Sequence, residues 1–163
     1  MPLSPPREIQ ALVDGLEEAF QRRSWHGTNL LGTIRGLDPH RALWRPQTKR
    51  HNIWELVTHA AYWKYAVTRR LTGGPRGAFP LAGSNFFPRD QGSVAEWKHD
   101  VQLLKQCHAK LLEVVWKMPK SRLHKAASGP GKWTAEEMIR GVGVHDLYHA
   151  GQIQLLKRLY DDA

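Results

Sequence analysis

The sequence contains very little cysteine and no long apolar run, and each shortage narrows the class of protein. Its single cysteine, Cys107, excludes an internal disulfide, which favours a reducing compartment. No apolar run approaches the roughly 18 residues that a bilayer-spanning helix needs. Residues 1–8 lack the apolar centre of a secretory signal peptide. These absences predict a cytoplasmic protein without a membrane segment.

Period-two alternation of apolar and polar residues is also nearly absent, which argues against a substantial β-sheet. Four segments carry apolar residues at helical spacing instead. Each opens with a helix-start signal, and the signals lie at Ser4, Asn52–Glu55, Ser93–Glu96 and Thr134–Glu137. The length of 163 residues suits one domain with one core. We therefore predict an all-α fold over residues 1–163, a four-helix bundle.

Glycine and proline set the expected helix boundaries. The first helix is expected to run from Ser4 to Gly36 with a kink at Gly27, and Asp38-Pro39 ends it. Residues 73–92, between the second and third helices, are rich in glycine, proline and phenylalanine. A connection of that length is often functional, or it is a crossover between helices that run in the same direction.

Positive charge exceeds negative charge by nine, which attracts anionic partners such as nucleic acid, anionic lipid or an acidic small molecule. The basic residues are scattered along the chain, a pattern typical of a solvated surface. No helix-turn-helix signature or aromatic-rich basic platform accompanies them. Nucleic acid therefore stays an alternative partner beside a small-molecule substrate.

Four of the nine histidines fall on inward-facing helical stripes, and three of these stand out as a possible metal-binding set. His145 and His149 are four residues apart, which places them on one face of the fourth helix, about 6 Å apart along its axis. His59 lies on the inner stripe of the second helix. An unpartnered buried imidazole costs about 1–3 kcal/mol, so all three rings need partners.

One divalent cation bound by His59, His145 and His149 would satisfy the three rings at once. Neutral imidazole is a common ligand of zinc, nickel and copper, and we expect zinc or nickel. Three ligands leave a coordination position open, as in catalytic sites. Hydrogen bonds from the rings to carbonyls and waters are the alternative. No carboxylate lies on the same stripes, which argues against a di-iron site.

Four residues at helical spacing from the three histidines are candidates for the walls of a ligand pocket, namely Tyr62, Trp63, Tyr148 and Gln152. Core packing is the alternative for Trp63 and Tyr148. Glu55 precedes His59 by four residues and is expected at the surface.

The other histidines are expected to have ordinary structural roles. His108 lies on the inner stripe of the third helix and is expected in the core with a hydrogen-bond partner. Four others fall in loops or at polar helix positions and are expected at the surface, namely His40, His51, His99 and His124.

Three segments of the sequence, residues 24–31, 44–63 and 145–153, resemble the DinB-like (damage-inducible) superfamily. The resemblance implies an up-down-down-up bundle, often a homodimer, with its crossover over residues 73–92. The metal triad of the family matches His59, His145 and His149. The resemblance leaves two roles open for His26: it faces the metal pocket, or it caps a kink.

Members of this superfamily include metal-dependent thiol transferases that use bacillithiol, mycothiol or glutathione, and a thiol-dependent maleylpyruvate isomerase. The resemblance thus implies an S-transferase that uses a divalent metal ion and a low-molecular-weight thiol on a small-molecule substrate. Two alternatives stay open. One is a stress-response protein that binds nucleic acid or another anionic partner, and the other is a metal-stabilised bundle without catalysis.

Overall fold

The protein is mainly helical over residues 5–163, the part that its computed structural model describes. The helices are α1 (Arg7–Phe20), α2 (Leu30–Thr33), α3 (Pro39–Leu43), α4 (Ile53–Thr72), α5 (Val94–Trp116) and α6 (Ala135–Asp161). A single 3-10 turn covers Lys120–Arg122. Within the described range, β-structure is limited to two isolated bridges. The predicted all-α class is confirmed.

The two middle helices of the bundle are parallel. Trp54, near the start of α4, packs edge-on against Trp97, near the start of α5, and donates a hydrogen bond to Asp100 at 2.8 Å. Because the two starting ends meet, the connection from Gly73 to Gly92 must return along the length of the bundle. The predicted crossover is confirmed.

The outer helices α1 and α6 run in the same direction as each other and opposite to α4. Apolar clusters at the two ends of the bundle show this. One cluster joins the starts of α1 and α6 to the end of α4, through Ile9, Ile139 and Leu71. The other joins the end of α1 and the second half of α6 to the start of α4, through Phe20, Ile153 and Ile53. The order is therefore up-down-down-up.

Capping motifs fix where the long helices begin. Ser93 and Thr134 open α5 and α6 with complete capping boxes, as predicted. At the start of α4 the Asn52 side chain accepts from the Glu55 backbone N–H, but the Glu55 carboxylate does not return a bond to Asn52. Ser4 lies outside the described residues.

The predicted first helix, from Ser4 to Gly36, is wrong in its second half. α1 ends at Phe20, and Gly27 takes a positive φ of 111° in a turn that glycine adopts without strain. The Asn29 side chain then accepts from the Gly32 N–H and starts the separate α2. Asp38 likewise caps α3 instead of ending a longer helix.

No helix in the described part of the chain is both long enough and apolar enough to cross a membrane.

Candidate metal centre

Three histidines from two antiparallel helices meet at the edge of the bundle. His59 comes from α4, and His145 and His149 come from successive turns of α6. The Nε2 atom of His145 lies 3.1 Å from that of His59 and 3.0 Å from that of His149. The three rings are the one group in the described residues whose nitrogen or oxygen atoms are close enough to hold a metal ion together.

Hydrogen bonds at the Nδ1 atoms of His59 and His149 determine which ring nitrogen carries the proton. His59 donates from Nδ1 to the backbone carbonyl of Asn85 at 2.8 Å, and His149 donates from Nδ1 to the side-chain oxygen of Gln152 at 2.6 Å. A neutral imidazole that carries its proton on Nδ1 has a lone pair on Nε2. His59 and His149 therefore both point lone pairs at the Nε2 atom of His145.

A cation fits this donor set better than hydrogen bonds do. If His145 carries its proton on Nε2, that proton satisfies only one of the two facing lone pairs. Nitrogens about 2.1 Å from one ion lie about 3.0 Å apart when bound at right angles and about 3.4 Å apart in tetrahedral coordination, so the two observed separations are close to those of nitrogens that share an ion. The residues present therefore fit a divalent metal that imidazole prefers, such as zinc or nickel.

The surroundings keep these rings in the neutral form that binds metal. Burial lowers the pKa of His59 to about 4, against the raising effect of its hydrogen bond to Asn85. Burial, together with the nearby His149 and His59, lowers the pKa of His145 to about 3. Burial also lowers the pKa of His149. Near neutral pH the three rings are therefore uncharged, the state in which imidazole binds a metal ion.

The three histidines of the candidate metal centre line a cavity of about 620 Å³, referred to below as the metal-facing cavity; this volume is within the size range of small-molecule sites. Its walls are largely apolar, with Tyr148, Leu155 and Leu159 of α6 exposed along one side. The exposed Arg50, in the loop before α4, also lines the cavity. A ligand in this cavity could reach the open side of a metal ion held by the histidines.

A larger groove of about 730 Å³ between α1 and α6 lacks comparable chemistry. It is lined by small and apolar residues with exposed charged groups at its ends, and it contains none of the three histidines. Size alone therefore does not identify the functional cavity.

The structure corrects the prediction for Glu55 and adds to the prediction for His51. Glu55 was expected at the surface, but its side chain is only 6% exposed because its carboxylate binds Arg45, His51 and the backbone N–H of Arg89. His51 is exposed as expected, yet it lies in the wall of the metal-facing cavity.

A stack of three aromatic rings connects His51 to His59 of the candidate metal centre. Phe86 lies between His51 and His59, with ring centroids 3.7 Å and 4.0 Å away and interplanar angles of 4° and 11°. The stack fixes the orientation of the His59 ring, whose Nδ1 atom binds the carbonyl of Asn85. The loop before α5 therefore forms part of the site.

The predicted pocket residues divide into two groups. Gln152 and Tyr148 line the cavity, the first bound to His149 and the second packed edge-on against it. Trp63 stands edge-on to both His59 and His145, and it also lines a smaller cavity of about 300 Å³ behind His145.

The other two predicted pocket residues lie elsewhere. Tyr62 packs in an aromatic cluster with Phe79 and Phe87 and does not line the metal-facing cavity. His26 lies in the exposed turn between α1 and α2, next to Trp25, and likewise does not line it. Of its two suggested roles, this position fits the one in the turn.

Asn85, Phe86 and His51 were missed as site residues because they lie in loops, where helical spacing gives no information. Asn85 has a positive φ of 68°, a conformation that asparagine tolerates better than most residues. Its side-chain oxygen accepts from the Trp63 indole N–H at 3.0 Å while its carbonyl binds His59. The phenylalanine pair within the glycine-rich crossover was the available signal.

His108 is the core histidine that the sequence predicted. It is buried, stacks on Phe20 with centroids 3.8 Å apart, and donates from Nε2 to Glu17 at 3.1 Å. Burial, with the nearby Lys64, lowers its pKa to about 2. It takes no part in the candidate metal centre.

Comparison with known proteins gives a family and a fold. The sequence profile of the DinB superfamily matches residues 22–153. A crystal structure of a conserved protein from Enterococcus faecalis has a TM-score of 0.62 and 15% sequence identity, over 94% of this chain and 97% of that chain; this likeness concerns the fold alone. No protein with a curated description matches significantly. Because the profile covers most of the chain and all three clustered histidines, the chain belongs to the DinB superfamily.

Proposed function

We propose that the protein is an enzyme that binds one divalent metal ion through His59, His145 and His149 and transfers a small thiol to an electrophile. The observation that carries the proposal is the convergence of three Nε2 atoms at 3.0 and 3.1 Å, two of them with lone pairs fixed by hydrogen bonds at Nδ1. A bound metal would supply a Lewis acid that favours the thiolate form of a thiol.

The cavity supports a catalytic role over a purely structural metal site. Structural sites are usually closed by four protein ligands, whereas here the described residues offer three and a cavity lies on the open side. The exposed Leu155, Leu159 and Tyr148 can cover the apolar part of a substrate and exclude water from it. The positive charge of Arg50 in the cavity wall and the net charge of +9 suit a thiol that carries carboxylates.

Within this mechanism, residues around the three histidines orient the imidazole rings and fix the position of their protons. Asn85 and Gln152 keep the protons of His59 and His149 on Nδ1, so the Nε2 atoms remain available as donors. Phe86 fixes the plane of the His59 ring. The thiol sulfur and the electrophile would meet within the cavity, where positioning raises the rate of their reaction.

Metal analysis tests the first half of the proposal. The purified protein is expected to hold about one zinc or nickel ion per chain, and the variant with all three histidines replaced by alanine is expected to hold none. His124→Ala, an exposed histidine outside the cavity, is the matched control and should retain the metal. Full metal content in the triple variant would exclude this site.

Thiol transfer tests the second half. Loaded and chelator-treated protein would be assayed with glutathione, cysteine or bacillithiol and the electrophile 1-chloro-2,4-dinitrobenzene. Transfer should require both the metal and the three histidines. A rate that survives removal of the metal would exclude the mechanism, while metal-dependent stability without transfer for any thiol would favour the structural alternative.

A further inference from the structure

A second histidine site lies within the same cavity and is not part of the metal-binding group. The side chain of His51 is 49% exposed and lines the same cavity as His59, His145 and His149. Its Nδ1 atom binds the Glu55 carboxylate at 2.8 Å. Nε2 has no hydrogen-bond partner among the described residues, so it is available to a molecule in the cavity.

The carboxylate behind His51 is firmly positioned. Glu55 is nearly fully buried, and besides His51 it binds the Arg45 guanidinium at 3.0 Å and the Arg89 backbone N–H at 3.1 Å. A carboxylate that accepts from Nδ1 keeps the proton there and leaves the Nε2 lone pair free. The same carboxylate stabilises the imidazolium that forms when Nε2 takes up a proton.

The stack on Phe86 gives His51 a fixed distance from the metal-binding group. The Phe86 ring lies between the His51 and His59 rings, with centroid distances of 3.7 Å and 4.0 Å. His51 is therefore too far from His59 to be a ligand of the same ion. Because it lines the same cavity as the three histidines, a ligand in that cavity could exchange a proton with it directly or through one water. Besides Glu55 behind it, the charged or titratable residues that line the same cavity are Arg50, His59, His145, Tyr148 and His149.

We infer that His51 is the general base and acid of the proposed thiol transfer, with Glu55 as its positioning residue; the inference rests on the proposed function. Nε2 of His51 takes the proton of the thiol as the sulfur binds. The sulfur lone pair then forms the S–C bond to the electrophile while the bond to the leaving group breaks and its electron pair departs with that group. His51 returns the proton to the leaving group, so thiol and electrophile give thioether and protonated leaving group.

Proton counting tests this inference without an activity assay. The protein is loaded with Co²⁺, whose absorption reports sulfur binding, and is titrated with 2-mercaptoethanol near neutral pH in buffers of different ionisation enthalpy. In the wild type the thiol proton stays on His51, so little proton is released to the buffer. His51→Gln is expected to release about one more proton per thiol bound, because no base remains in the cavity wall.

His99→Gln is the matched control. His99 is also an exposed histidine beside a buried carboxylate, with Nδ1 3.3 Å from Asp100, but it does not line the metal-facing cavity. It should release protons as the wild type does, and both variants should keep the wild-type metal content and helical signal. Equal proton release by wild type and His51→Gln, with normal thiol binding, would overturn the role of His51 alone. Absence of thiol binding to the loaded wild type would instead overturn the proposed function, and the role of His51 with it.

Discussion

Two neighbouring residues of α6, His145 and Asp146, carry polar groups into very different surroundings. Asp146 points into the core, where it forms an ion pair with Lys64 of α4, and both side chains are fully buried. His145 points about 100° away to the edge of the bundle, where its Nε2 atom meets two other imidazole nitrogens. The same two helices therefore hold a charged pair in the core and a neutral cluster at the cavity.

The difference shows where the polar groups of each region find their partners. In the core the protein supplies both charges, and the Lys64 ammonium also lies 4.8 Å from the Phe20 ring centroid. At the cavity, hydrogen bonds at Nδ1 leave lone pairs on Nε2 of His59 and His149, and a proton on His145 can satisfy only one of them, so a cation from outside would complete the group. The buried pair thus contributes to the bundle without a ligand, although Asp146 Oδ1 and His145 Nδ1 lack hydrogen-bond partners among the described residues, whereas the facing Nε2 lone pairs of the histidines call for a cation.

The largest expected effect comes from breaking the buried pair. Asp146→Ala leaves the Lys64 ammonium buried without a counter-charge, and the free energy of unfolding should fall by about 3–5 kcal/mol. The loss should be the same with and without a chelator, because neither charge belongs to the metal centre. Urea denaturation followed by helical signal measures it.

Two further variants separate the pair from its neighbour. The double variant Lys64→Met/Asp146→Leu should recover most of the stability, since a well-packed apolar pair can replace a buried ion pair. His145→Ala, measured with a chelator present, should change the free energy of unfolding far less than Asp146→Ala does. Equal losses in the two alanine variants would show that the core and the cavity do not differ in this way.

Much of this arrangement could be predicted from local sequence pattern. The three long helices α4, α5 and α6 follow from apolar spacing and from capping residues at Asn52, Ser93 and Thr134, because these signals act within a few residues. The spacing of His145 and His149 places both on one helix face. His59 required only the further expectation that two inward stripes face each other.

What could not be predicted depends on contacts between distant residues. Glu55 was expected at the surface because nothing within one turn shows that Arg45 and Arg89 surround its carboxylate. Lys64 was not singled out, since its partner is on another helix. Asn85 lies in the long crossover, where no periodicity predicts that its carbonyl reaches His59.

The second expected effect is a dependence of stability on pH in the metal-free protein. The pKa values of His59 and His145 are lowered by burial to about 4 and about 3, below the ordinary value of 6.5. The unfolded chain therefore binds more protons, and stability falls as the pH decreases below about 6.5. Allowing for partial solvent exposure, we expect a loss of about 2 kcal/mol between pH 6.5 and pH 5.

Denaturation in the presence of a chelator at the two pH values measures this effect. A variant with His59→Gln and His145→Gln should show a flatter profile, because glutamine does not titrate. The remaining slope would come from His108 and His149, whose pKa values are also lowered by burial. An unchanged slope in the variant would mean that the cavity histidines are not buried in neutral form.

The smallest effect tests how the histidine cluster is positioned. Gln152→Ala removes the oxygen that accepts from His149 Nδ1 at 2.6 Å, so the ring is free to turn or to move its proton. Metal affinity should weaken at least tenfold, about 1.4 kcal/mol, with little change in metal-free stability. Gln152→Glu keeps an acceptor and should retain the affinity, and Gln154→Ala, two residues further along α6, should have no effect. If Gln152→Ala binds metal as the wild type does, the packing of α4 against α6 alone holds the three nitrogens together. The histidine cluster would then need no hydrogen bond from Gln152 to keep its geometry, just as the buried pair needs no ligand to balance its charges.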